Sequence, residues 1–201
     1  MHYRTSLLII LIALGLTLCF LLPWSVSLAA VDIGAAMPDF KLKDCDGKEH
    51  TLSGYKGKIV VLDFCSQGCP WSRGADPHLA ALSKEYGAKG VVFLGVDSHS
   101  ETTPEEIKAY AAKTGIPHPI LKDTGNSYAD AVGAERTPEI YIADKEGKLV
   151  YHGAFDNRKN PDKAGDINYV KKALDSVLGG QSVETAKVNA WGCTIKRAKG
   201  A

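Results

Sequence analysis

The sequence predicts an α/β fold, a central mixed sheet flanked by helices, with an N-terminal hairpin and a C-terminal Cys-containing tail. Three observations carry this reading. "KIVVLDF" and "GVVFLGVD" are continuous apolar runs, the pattern of strands buried on both faces. Stretches with apolar residues at helical spacing alternate with them. Two alternating runs fold about Asp46-Gly47 and two more about Glu146-Gly147, both hairpin signals.

The first thirty residues stand apart. Arg4 precedes an uncharged apolar run from Leu7 to Leu22, then come Pro23 and the small residues Ala29 and Ala30. That order is expected of a secretory signal peptide. The run also approaches the roughly 18 to 20 residues of a membrane span, so a signal anchor, tethering the protein through residues 7–22, is the alternative. Leu18 before Cys19 argues against lipid attachment there. Either way, the chain is expected outside the cytoplasm, periplasmic or secreted, where disulfide chemistry among Cys45, Cys65, Cys69 and Cys193 is favoured.

Within the remainder, "MPDFKLKDCDGKEHTL" forms the first hairpin and "KIVVLDF" the first buried strand. Leu79, Leu82 and Tyr86 mark a helix that starts after Cys69-Pro70 and stops at Gly87. "TTPEEIKAYAAKTG" opens with Thr103 as cap, Pro104 at the first helical position and acids in the first turn. "TPEIYIADKEGKLVYHG" makes the second hairpin. Asp166 is expected to cap a last helix with Ile167, Val170, Leu174 and Val177 on one face. Three parts result: 1–30 as leader, 31–180 as one domain, and 181–201 as a tail. The tail lacks helical period but carries Trp191 and Cys193, so it is expected to dock on the domain.

Lys and Arg total 24 against 23 Asp and Glu in 201 residues, which excludes the basic footprint of a nucleic-acid binder. A hydrophobic fraction of 45% fits one globular core. The histidines are scattered without an i, i+4 pair, and surface positions are their default; His78, on the helix after Cys69, could tune a thiolate there.

The chemistry points to "FCSQGCPWSR". Cys69 stands where a helix begins, with Pro70 at its first position. A cysteine at such a cap faces free backbone amides and the positive end of the helix dipole, and both favour the thiolate. An inert buried thiol is the competing reading.

The strand, the Cys-Pro turn, and Pro77 eight residues after Cys69 resemble the thioredoxin-like superfamily. Thr137-Pro138, leading into "EIYIAD", looks like the cis-proline segment that faces the active cysteine in that fold. With "MPDFKLKDCDGKEHTLSGYKGKIVVLDF", the chain resembles the redoxin branch, the alkyl hydroperoxide reductase and thiol-specific antioxidant (AhpC/TSA) family. "KVNAWGCTIKR" is similar to the Gly-Cys-x-Ile ending of a subgroup of secreted thioredoxin-like proteins. The resemblance implies a thioredoxin-like fold and a thiol oxidoreductase with Cys69 as nucleophile.

Departures from the family patterns shape the expectation. Ser72 stands where the second cysteine of CxxC would be. Of the peroxiredoxin pattern, Ser66 can replace the threonine that orients peroxide, but Leu62 stands at the proline position. Pro138 lies where the peroxidase arginine is expected, with Arg136 two residues away. Cys65 and Cys193 are both candidates to resolve a Cys69 intermediate, since connectivity does not follow from spacing; Cys45 is read as a lone buried thiol or part of a static disulfide. Pro70, Trp71, Arg136, Thr137 and Pro138 are expected to wall the substrate groove, and Ser66 with nearby amides to hold the substrate oxygen or sulfur.

Thiol-disulfide exchange is therefore ranked ahead of peroxide reduction, with a disulfide or hydroperoxide as substrate and a thiol protein or small thiol as electron donor. No bound cofactor is expected. Two other readings stand beside it: a non-catalytic redoxin-fold binding module with Cys65 and Cys69 locked together, and a copper-delivery protein using CxxxC. In the copper family the cysteines would fall at Cys69 and Arg73, and Arg136 holds the histidine position.

Overall fold

The computed structural model describes residues 30–197; the expected leader, apart from Ala30, lies outside them. A hairpin of β1 (Lys41–Asp44) and β2 (Glu49–Thr51) opens the fold. Then come β3 (Val60–Phe64), α1 (Pro70–Gly87), β4 (Val92–Asp97), α2 (Pro104–Thr114) and β5 (Ile120–Lys122). The short helix α3 (Ser127–Val132) leads to β6 (Arg136–Thr137), β7 (Glu139–Ala143) and β8 (Leu149–Gly153). After α4 (Tyr169–Leu178), the chain ends in β9 (Lys187–Val188) and β10 (Cys193–Thr194).

Eight strands form one sheet in the order β2-β1-β5-β4-β3-β7-β8-β9, while β10 and β6 make a separate pair. Parallel pairing of β3 with β4 and β4 with β5 follows from the helical crossovers between them. The neighbours β3 and β7, and β7 and β8, are antiparallel. The sheet is thus mixed and flanked by helices, the architecture that the resemblance implies.

Strand β3 is buried along its whole length, and its alternation separates two cores. Leu62 and Phe64 join Leu94, Val96, Tyr141 and the α3 residues Tyr128 and Val132. Val61 faces the other way, with Leu79, Leu82 and Tyr86 of α1 and Val170 and Leu174 of α4. Asp63 shares that second face, which places a carboxyl under α1. Among the described residues no helix is long and apolar enough to cross a membrane.

Helix boundaries mostly follow the capping chemistry. Thr103 caps α2 in a complete capping box with Glu106, and Gly115 closes it at φ 70°. The last helix departs from expectation. Its cap is Asn168, whose Oδ1 accepts from Lys171 N at 2.8 Å, rather than Asp166. Ile167 N bonds the Asn157 side chain instead, so Ile167 precedes the helix and is exposed.

The Thr103 cap holds the first turn of α2 together with Glu106. Thr103→Ala should lower unfolding stability by about 1 kcal/mol in urea titrations. No loss of stability would contradict the role of that box.

Candidate active site

The turn from β3 into α1 is built by the residues between Cys65 and Ser72. Cys69 N donates to Ser66 O at 3.0 Å, and Gly68 N to Ser66 Oγ at 3.2 Å. Ser66 N in turn donates to Ser72 Oγ at 3.2 Å. Ser66 is buried and spent on the turn. Ser72, at the place of the absent CxxC cysteine, ties strand end to helix start.

Cys69 is the N-cap of α1 with extended backbone, and Pro70 follows at the first position. Pro70 has no N–H, so the first available helix amides belong to Trp71 and Ser72. The Trp71 amide faces the Cys193 sulfur and the Ser72 amide the Cys69 sulfur. Unpaired amides at a helix start carry partial positive charge, and here each is matched to a thiol.

The opposite wall is the Thr137–Pro138 segment, whose peptide is cis. Cys69 Sγ donates to Thr137 O at 3.0 Å when protonated. The buried Thr137 hydroxyl lies against the same sulfur. The third wall is the tail: β10 pairs antiparallel with β6, setting Cys193 opposite Thr137 and Thr194 opposite Arg136. Gly192 makes this approach feasible. Its φ is 121°, and a Cβ there would collide with the Thr137 carbonyl.

Cys69 and Cys193 therefore both lie against Thr137 and line one cleft, with opposite tendencies. Burial pushes the Cys69 thiol up, but the Cys193 thiol, the Thr137 hydroxyl and the amides of Ser72 and Cys193 together hold it below its ordinary value. Burial, and then the bond to Cys69, pushes Cys193 up to about 11. Of the two, Cys69 is the thiol that ionises more readily and Cys193 the one that keeps its proton.

Cys65 is placed elsewhere. It packs with Ile107 and Ile120, beside Gly95 of β4. Burial, then Asp63, Asp97 and Asp76, raise its thiol well above the ordinary value. Cys45 donates to Ile120 O at 3.4 Å. Arg136 is exposed and bonds Thr194 Oγ1 at 3.1 Å, so it holds the tail. Trp71 packs on Trp191 with ring centroids 5.2 Å apart, and Pro138 is buried behind Thr137.

Two buried acids, Asp63 on β3 and Asp76 on the inward face of α1, are not among the residues the sequence reading singles out. Asp63 is 4% exposed, with Oδ1 unpartnered; burial first, then Asp76 and Cys69, raise its carboxyl well above the usual range. Asp76 accepts from Tyr110 OH at 2.5 Å and is pushed up to about 6 by burial, against the pull of Tyr110 and Arg73. Two signals were present. Asp63 interrupts an apolar strand, and Asp76 falls on the Ala75–Leu79–Leu82 stripe of α1.

Residues 33–152 match the AhpC/TSA family. Thiol-disulfide oxidoreductase ResA of Geobacillus thermodenitrificans is 32% identical over 143 residues, 71% of this chain and 80% of that protein. Peroxiredoxin Q, chloroplastic, of Populus jackii is 34% identical over 148 residues, 67% of each chain. Among solved structures, a hypothetical protein from Sinorhizobium meliloti 1021 superposes with a TM-score of 0.79 at 32% identity, covering 86% of this chain and 98% of that one. An uncharacterized conserved protein from Geobacillus kaustophilus gives 0.78 at 30%, covering 85% and 94%.

Two measurements check this geometry. Thiolate absorbance in Cys193→Ala should titrate at higher pH than in the wild type, since Cys69 loses a donor; an unmoved midpoint would contradict the contact. Asp76 titrates near 6 when folded against an ordinary 3.8, so its protonated form stabilises fully below the lower value and that stability is lost as pH rises through the upper. The stability of wild type relative to Asp76→Asn should thus fall between acid and neutral pH, by up to about 3 kcal/mol. A pH-independent difference would contradict the burial of Asp76.

Proposed function

Because this chain belongs to the AhpC/TSA family and is an enzyme of thiol redox chemistry, we propose that it exchanges disulfides through Cys69, with Cys193 as the resolving thiol. The observation that carries this is the convergence of Cys69 and Cys193 on Thr137 in one cleft, with the Cys69 thiol shifted down and the Cys193 thiol shifted up. Similarity to a protein named thiol-disulfide oxidoreductase supports the reaction class. The signal-peptide pattern of residues 1–30 supports an extracytoplasmic site of action.

The Cys69 thiolate attacks one sulfur of a substrate disulfide, forming a mixed disulfide and expelling the other half as thiolate. That leaving thiolate takes the Cys193 proton. Cys193 then attacks the Cys69 sulfur, closing a Cys69–Cys193 disulfide and expelling the second half, which takes a proton from solvent. The substrate gains two electrons and leaves as two thiols, while the enzyme's pair becomes a disulfide. A donor thiol reverses these steps on the enzyme. The Ser72 amide and the Thr137 hydroxyl stay on the Cys69 sulfur, as needed when it becomes a leaving group. Thr137, Pro138 and Trp71 wall the site, and Cys65 takes no part because it packs against Ile107 and Ile120 instead of facing Cys69.

Peroxide reduction is the second reading, favoured by the peroxiredoxin Q similarity. There Cys69 would take the peroxide oxygen as a sulfenic acid, and Cys193 would condense with it, releasing water. Against it, Arg136 is bonded to the tail rather than to Cys69, and Ser66 Oγ is bound to Gly68 N.

The two reactions separate in a stopped-flow comparison of the reduced protein with cystine and with hydrogen peroxide. Disulfide exchange predicts the faster reaction with cystine, and accumulation of a Cys69 mixed disulfide in Cys193→Ser. Faster reaction with peroxide, giving a sulfenic acid in that variant, would make the protein a peroxidase instead.

A further inference from the structure

We propose that the tail makes Cys69 selective for hydrophilic low-molecular-weight disulfides and closes the site to disulfides held in folded proteins. This names the substrate class of the redox pair and rests on that reading.

A disulfide bond requires the two Cα atoms to lie about 4.4–6.8 Å apart. A cysteine within a folded protein must therefore bring its own backbone close against Cys69 to form the mixed disulfide. In this structure that shell is already filled. Cys69 is 1% exposed. The first turn of α1 lies on one side, Thr137–Pro138 on another, and Gly192–Cys193 on a third. A partner strand would need an edge to pair with, and β6 has spent its edge on β10.

The tail is anchored on both sides of Cys193. Before it, Trp191 lies between the Trp71 ring and the Arg158 guanidinium, 5.1 Å from the latter, and donates Nε1–H to Asp156 O at 2.7 Å. Arg158 is itself buried and doubly bonded to Asp156. After it, Ile195 is buried in the core, its N–H donating to Glu135 O at 2.9 Å. Arg197 then donates to Ala134 O at 2.8 Å and pairs with Asp130 at 2.9 Å. Lifting Cys193 away from Cys69 means breaking one of these anchors.

One approach stays open. Both sulfurs line a cleft of about 330 Å³ whose other walls include Gln67, His99, Thr102 and Lys196. That volume is in the range of small-ligand sites. Charged side chains of both signs, Glu101, Glu106 and Lys196, stand in its walls and suit the ammonium and carboxylate groups of an amino-acid-sized disulfide better than an apolar one. Such a substrate delivers a sulfur without bringing a folded backbone, and it is reduced to two small thiols by the steps above.

The test compares second-order rate constants for the reduced full-length protein with cystine and with insulin, a protein disulfide. Attack on a protein must wait for an open tail, so insulin should react about 10- to 1,000-fold more slowly, the inverse of an open population of 0.1–10%. Gly192→Ala keeps both cysteines but cannot seat on Thr137, and it should raise the insulin rate toward that of cystine. Trp191→Ala should do the same by removing the first anchor, and circular dichroism confirms that each variant is folded. Equal wild-type rates for the two substrates would overturn the selectivity while leaving the redox pair standing. An insulin rate unmoved in both folded variants would also overturn it. Reduction of neither substrate would remove the disulfide-exchange reading together with this one.

Discussion

The site depends on the first turn of α1, where two unpaired backbone amides meet two sulfurs. A helix start always leaves such donors, and they need anionic or polar partners. Pro70 removes one donor at no cost, and the next two fall to Cys193 and Cys69. The rest of the structure brings these partners together. Strand β3 fixes the entry of the helix, the Ser66–Ser72 bond closes the turn, and β6 presents Thr137. The tail then carries a cysteine across 124 residues of chain from Cys69 to complete the pair.

The same helix covers an electrostatic burden. Asp63 is buried beneath it and Asp76 on its inward face, and the charge of Asp76 adds to the burial that keeps Asp63 protonated. An isolated buried carboxylate costs several kcal/mol, so protonation is the cheaper solution. Asp76 has a donor in Tyr110, whereas one oxygen of Asp63 has none. These acids lie close enough to Cys69 for its charge to raise Asp63. Ionisation at the sulfur and at the carboxyl therefore oppose each other, and proton occupancy under α1 is part of the thiol's environment.

Sequence patterns exposed the scaffold well where the physics is local. The apolar runs of β3 and β4, the capping box at Thr103, the two hairpins and the cap position of Cys69 each follow from neighbours a few residues apart. What escaped depends on distant contacts. The strands β6 and β10 are two residues each, too short for any period, and only tertiary pairing defines them. Cys65 is close to Cys69 in sequence yet turns toward Ile107 and Ile120, while Cys193, far away in sequence, reaches it. Asp166 and Asn168 are both good caps, and the Asn157 bond to Ile167 N decides between them. Asp76 sits among apolar residues on the inward stripe of α1, and the partner that fixes its burial, Tyr110, comes from another helix.

The central claim is that Cys193, and not Cys65, is the partner of Cys69. It is tested most directly by oxidising the reduced protein with one equivalent of a disulfide, blocking remaining thiols with an alkylating agent, and mapping the linked peptides by mass spectrometry. The account predicts a single bridge between Cys69 and Cys193, with Cys45 and Cys65 recovered as free thiols. A bridge between Cys65 and Cys69 would contradict it.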